Sequence, residues 1–203
     1  MLKTQWWLVP IIYIFAIWLI YGVQLIFPIE ESLALYPRNS EYLIGVFTTV
    51  FLHGSFLHLV SNSLPLLVSL LALFYFYKLI AFPVLFLNHI VSGILIWLLA
   101  RPAFHIGASG LVYALTLFLL ISGLVRKNKA LSFLALAVLS IQSGLLWGVL
   151  PQGDGISWES HLLGGIVGIV TATVFKNKGP KPDAPFPWHE DEEPINDEYK
   201  NFE

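Results

Sequence analysis

No cysteine occurs among the 203 residues. Disulfides and thiolate-held metals are therefore excluded. Charge is scarce as well. Asp, Glu, Lys and Arg make up 12% of the chain, where a soluble globular domain carries about 25%. Half the usual share leaves most of the chain without the polar surface that water requires. The remainder is largely apolar: 57% of residues are hydrophobic and the mean hydropathy is +0.74. Lipid is the solvent that suits such a chain. A large positive excess is missing too. The net charge is −2, so no nucleic-acid partner is expected. That small number hides an uneven distribution. About half of the acidic residues lie in the last fifteen positions, and the rest of the chain is mildly basic.

A helix needs about 20 apolar residues to cross the hydrocarbon layer. Six stretches are read as spans: residues 6–27, 56–77, 79–100, 108–125, 130–150 and 159–175. The first exceeds the apolar core of a cleavable leader, about 7–15 residues, and is read as a retained span. The fourth and sixth are short and rich in small residues, which suits helices surrounded by other helices. The expected fold class is all-α, a polytopic membrane protein whose six-transmembrane-helix bundle occupies residues 1–178. Residues 179–203 hold prolines followed by acidic residues and are expected to form a disordered cytoplasmic tail.

Charge orients the bundle. With the N-terminus inside, Lys3, Lys78, Arg126, Lys127, Lys129, Lys176, Lys178 and Lys181 lie inside, and Arg38 and Arg101 lie outside. That imbalance follows the positive-inside rule and places both termini in the cytoplasm. Residues 28–55 form a long outer loop. Its semi-apolar part, 42–52, is too short to span and is read as interfacial. Residues 151–155 make a turn-rich outer linker.

Polar groups within membrane spans are costly and are functional candidates by default. Three segments carry them: 58–62 with His58 and Asn62, 107–110 with Gly107, Ser109 and Gly110, and 161–168 with His161, Gly164 and Gly168. The orientation brings all three to one depth, just beneath the outer surface. On the sixth span, His161, Gly164, Gly165 and Gly168 follow i, i+3, i+4 and i+7 spacing and share a face. Gly164 and Gly168 let a neighbouring backbone approach closely. Gly110 and Ala114 offer the matching surface on the fourth span. Pairing these two helices would bring Ser109 and His161 within hydrogen-bond reach. A serine hydroxyl needs such a base to become a nucleophile. Ser109 also opens its helix, where free N–H groups can stabilise an oxyanion. Gly107 and Gly110 would leave room for substrate backbone. His58 and Asn62, at i and i+4, are two further donors for the same oxyanion. Tyr113 lies one turn after Ser109 and can pack on the imidazole. Glu159 points elsewhere on its helix, so a dyad is expected, not a triad. His53 and His105 are read as ordinary polar positions shaping the mouth of the site. His89 and Asn88, mid-span, are expected to make a buried hydrogen bond.

Together these motifs resemble the rhomboid family of intramembrane serine proteases. The resemblance runs from about Leu35 to Phe175. It rests on the Gly-x-Ser-Gly motif at 107–110, the His-x-x-x-Asn motif at 58–62 and the His-x-x-Gly-x-x-x-Gly pattern from His161. Pro37 with Arg38, and the run 51–58, also match. The resemblance implies a catalytic dyad of Ser109 and His161, oxyanion support from His58 and Asn62, and Tyr113 stacked on His161. It further implies cleavage of single-pass transmembrane proteins near the outer membrane face, with no cofactor and no metal. The compact form suits a bacterial inner membrane.

Other readings compete. The histidines at 53, 58, 105 and 161 could in principle gather a metal, but no His-Glu-x-x-His helix motif is present. A transporter would line a path across the bilayer, whereas these polar groups cluster at one end. An inactive rhomboid-like protein that binds or escorts membrane clients is the nearest alternative. Such relatives usually lack the serine or the histidine, and this chain has both.

Overall fold

Apolar runs broken by Pro, Gly and charged residues become helices separated by short connections. The computed structural model describes residues 5–141, 148–150 and 157–182. The helices among them are α1 (Leu8–Gln24), α2 (Glu30–Leu33), α3 (Gly45–Thr48), α4 (Phe56–Phe76), α5 (Ala81–Leu99), α6 (Ser109–Val125), α7 (Lys129–Ile141) and α8 (Trp158–Val174). Two 3-10 turns, Ser40–Tyr42 and Thr49–Phe51, flank α3. Outside helices, the described residues hold one isolated antiparallel bridge, Leu35 with His105. The chain is thus all-helical, as expected.

Among the described residues, two helices, α4 and α5, are long and apolar enough by themselves to cross a membrane. Helices α1, α6 and α8 have 17 residues each, about 25 Å at the α-helical rise. Helix α1 is shorter than the stretch 6–27 because its terminal apolar residues continue into turns, whereas α6 and α8 match the stretches 108–125 and 159–175 to within a residue at each end. Part of the expected fifth span, the linker 151–155 and the tail from 183 lie outside the described residues.

Helix α6 sits at the centre. Its residues from Gly110 to Thr116, with Phe118, Leu119, Ser122 and Gly123, are buried, and α4, α5, α7 and α8 pack around it. The surrounding helices expose apolar side chains: Ile12 and Phe15 on α1, Phe82 and Phe86 on α5, Ile166 and Val170 on α8. Apolar exposure on this scale suits lipid, since soluble monomers rarely show it. Inside, helices are joined by hydroxyl and amide hydrogen bonds, a common glue where the surroundings are apolar. Ser69 meets Thr116 at 3.3 Å, and Thr171 donates to the Asn88 side chain at 3.2 Å. His89 contacts the Tyr13 hydroxyl and the Phe47 carbonyl, both at 3.1 Å. The mid-span pair Asn88 and His89 is therefore hydrogen-bonded, as expected.

The closest helix pair is α6 with α8. A β-carbon added to Gly164 would strike the Gly110 backbone, with the carbonyl carbon at 2.9 Å. One added to Gly168 would strike Ala114, again with the carbonyl carbon at 2.9 Å. Both obstacles are backbone and cannot rotate away. The two glycines therefore set the separation of the helices.

The ends of α8 farthest from and nearest to Ser109 are both tied down. At the far end Arg126 donates to the carbonyls of Phe175 at 2.9 Å and Pro180 at 3.3 Å. Asn128 donates to the Lys181 carbonyl at 3.1 Å.

Candidate active site

Ser109 is the first residue of α6, and Ala108 precedes it as the N-cap. His161 lies one turn into α8, above the Gly164 and Gly168 seam. The seam brings the two side chains together: His161 Nε2 is 2.7 Å from Ser109 Oγ. His161 Nδ1 is 2.8 Å from the Gly148 carbonyl. A carbonyl can only accept, so Nδ1 carries the proton and donates to it. Nε2 is then left as an acceptor facing the Ser109 hydroxyl. The tautomer required of a general base is thus set by a main-chain oxygen.

The Tyr113 ring stacks on the imidazole, with centroids 4.3 Å apart and planes 7° from parallel. Gly148 is tightly placed as well. An added β-carbon there would strike the Tyr113 hydroxyl and lie 3.0 Å from His161 Nδ1.

The second helix of the site, α4, is capped by Ser55, whose hydroxyl accepts from the His58 N–H at 3.1 Å. That cap puts His58 in the first turn, with Asn62 one turn on and facing the same way. Gly107 joins both to the serine loop. A β-carbon on Gly107 would lie 2.6 Å from His58 Cε1 and 3.7 Å from Asn62 Nδ2. Gly107 also has φ +114, a conformation L side chains rarely adopt. Asn62 is buried, and among the described residues its Nδ2 has no hydrogen-bond partner. An unspent buried donor beside the serine calls for an explanation, and a transient oxyanion supplies one. The first-turn N–H groups of α6 lack intrahelical acceptors and open on the same region.

Several expectations need correction. Gly107 and Gly110 line a cavity together with His105 and Ser160, but neither has free room at its own β-carbon position. The room at Gly107 is taken by His58, and a β-carbon on Gly110 would lie 3.0 Å from the Ser160 carbonyl. The Gly107 N–H is spent on the Thr49 carbonyl at 3.0 Å. His53 and His105 are buried rather than exposed polar positions, at 1% and 2% exposure, and His105 lines the cavity beside Gly107 and Gly110. The His53 ring packs against His58 at 5.0 Å between centroids. Burial, aided by His58, lowers its pKa to about 4. Glu159 does turn away from His161, toward Arg101, whose Nε is 3.5 Å from its carboxylate. Gly148 went unrecognised in the sequence. It carried no signal there, because what it contributes is a carbonyl that every residue has.

A family model for the rhomboid domain matches residues 40–178. The chain belongs to the rhomboid family. Rhomboids are membrane-embedded and related to intramembrane proteases, and the match spans the loop before α3, the site and the end of α8. A protein of uncharacterized function from Mycobacterium tuberculosis is 35% identical over 173 residues, covering 76% of this chain and 70% of its own. A second uncharacterized protein, from Mycobacterium leprae, is 34% identical over 145 residues, or 66% of this chain and 57% of its own. A rhomboid-named protein of Acanthamoeba polyphaga mimivirus is 28% identical over 152 residues, covering 71% and 82% respectively.

Proposed function

We propose that this rhomboid is an intramembrane serine endopeptidase working through Ser109 and His161. The observation that carries the proposal is the 2.7 Å approach of Ser109 Oγ to His161 Nε2, with the other ring nitrogen engaged by Gly148. His161 takes the hydroxyl proton as Oγ bonds to the scissile carbonyl carbon. The carbonyl oxygen gathers negative charge, which the first-turn N–H groups of α6, His58 and Asn62 stabilise. Collapse breaks the C–N bond, and His161 returns the proton to the leaving amine. Water then hydrolyses the acyl-serine with His161 again as base.

The substrates in this proposal are single-pass transmembrane proteins, cut near the outer face of the bilayer. The six spans run with both termini in the cytoplasm of a bacterial inner membrane, and no cofactor takes part. The shallow position of Ser109, at the opening of its helix, supports cleavage near one surface. The competing idea of a silent relative that escorts membrane clients gains nothing from a serine and a histidine held in this tautomer.

Labelling tests the proposal. A fluorophosphonate probe should modify the purified protein in detergent at Ser109, located by peptide mass. His161→Ala should lose the label while keeping the helical circular dichroism of the parent. Undiminished labelling of Ser109→Ala would remove the serine mechanism.

A further inference from the structure

Helix α8 begins without the cap its sequence offers. Ser157 occupies the N-cap position, yet its side chain makes no capping bond. Its hydroxyl instead lies 2.5 Å from His105 Nδ1 and 2.5 Å from Ser160 Oγ. His105 Nε2 is 3.2 Å from the Arg101 carbonyl. Burial pushes the His105 imidazole below the ordinary histidine value, against smaller opposing effects of the Arg101 carbonyl and Glu159. The neutral ring has one donor, and the Arg101 carbonyl must receive it. Nδ1 then accepts from Ser157, and Ser157 accepts from Ser160. All three contacts are satisfied by one consistent set of protons.

A second link runs beside the first. Arg101 Nε meets the Glu159 carboxylate at 3.5 Å. Glu159 is 6% exposed, and among the described residues its oxygens have no hydrogen-bond partner apart from this ion pair. Such a charge is costly to bury unless its partner stays close. Both links join the loop between α5 and α6 to the first turn of α8. That loop runs directly into Gly107 and Ser109. It is itself fastened on its other side, where His105 and Leu35 exchange main-chain hydrogen bonds of 2.8 and 3.2 Å and Thr49 donates to the His105 carbonyl.

We infer that Arg101 with Glu159, and His105 with Ser157 and Ser160, form a polar clamp that fixes the distance between Ser109 and His161. These are positioning residues; none touches the reacting atoms. The glycine seam sets the helix separation below the dyad. It leaves the start of α8 free to splay, and the clamp closes that end. The inference rests on the proposed protease activity for its kinetic consequence, but its structural consequence stands apart.

The test uses the full-length protein in detergent, with Glu159→Gln and His105→Leu as disrupting variants and Arg101→Lys as the conservative one. Amide hydrogen exchange in residues 158–164 should quicken at least tenfold in both disrupting variants, with α4 unchanged. Cleavage of a single-span substrate should show kcat reduced roughly tenfold and KM within twofold, as expected for a small misplacement of a base. Arg101→Lys should retain most of the parental kcat. Unchanged exchange at the start of α8, or faster exchange with undiminished kcat, would overturn the clamp. The expected exchange pattern in the variants, with a parent protein that neither cleaves nor labels, would instead sink the protease proposal and leave the clamp standing.

Discussion

At the scale of single residues, the site divides into groups that a sequence can reveal and groups that it cannot. Ser109, His161, His58, Asn62 and Tyr113 were legible because polar side chains are rare in membrane spans, and their spacing puts them on shared faces. Gly148 was not legible. Its carbonyl orients His161 at 2.8 Å, and a main-chain oxygen leaves no trace in residue identity. His105 was misjudged for a related reason. A histidine near a loop looks exposed, and only the Leu35 bridge and the Ser157 contact show that the loop folds inward. The proposed oxyanion donors give a prediction at this scale. Replacing His58 or Asn62 by Ala removes one donor and should lower kcat 10²–10³-fold. Folding should persist, as measured by thermal unfolding, because the Asn62 Nδ2 has no partner to lose among the described residues. Steady-state kinetics of both variants against one transmembrane substrate would check this. Full activity in both would exclude these side chains from the oxyanion site.

Among the elements, the α6–α8 pair decides whether there is a site at all. Its seam was readable from the Gly164 and Gly168 spacing facing Gly110 and Ala114, because small residues at every fourth position let backbones touch. The polar links at the start of α8 were not readable, since Ser157 looks like an ordinary helix cap. Gly164→Leu and Gly168→Leu should each force α8 away from α6. The added side chain would meet the carbonyls of Gly110 and Ala114, and backbone in a packed helix cannot yield. A displacement of about 1 Å can cost 10²-fold in rate. Activity should fall by about that factor, and the melting temperature should fall with it. Both quantities measured on purified variants would check the seam, and an unchanged pair of values would show that it does not hold the dyad.

For the whole molecule, scarcity of charge and length of apolar runs made the all-helical class evident. The individual span lengths were less so. Among the described residues, α4 and α5 are the helices that meet the length for crossing unaided, and α1, α6 and α8 stop at 17 residues each. The proposed orientation rests on Lys and Arg, which concentrate at the helix ends opposite Ser109. Fusions of a reporter that matures only in the cytoplasm should be active at both termini, and one inserted between α1 and α3 should be silent. The reverse pattern would put the dyad on the inner side. The most direct test of the central claim is cleavage itself. The purified protein, reconstituted in lipid vesicles with a panel of single-span substrates, should cut at least one of them near its outer membrane boundary. Ser109→Ala, folded to the same degree, should yield no product. Equal cleavage by Ser109→Ala, or no cleavage and no labelling by the parent protein, would contradict it.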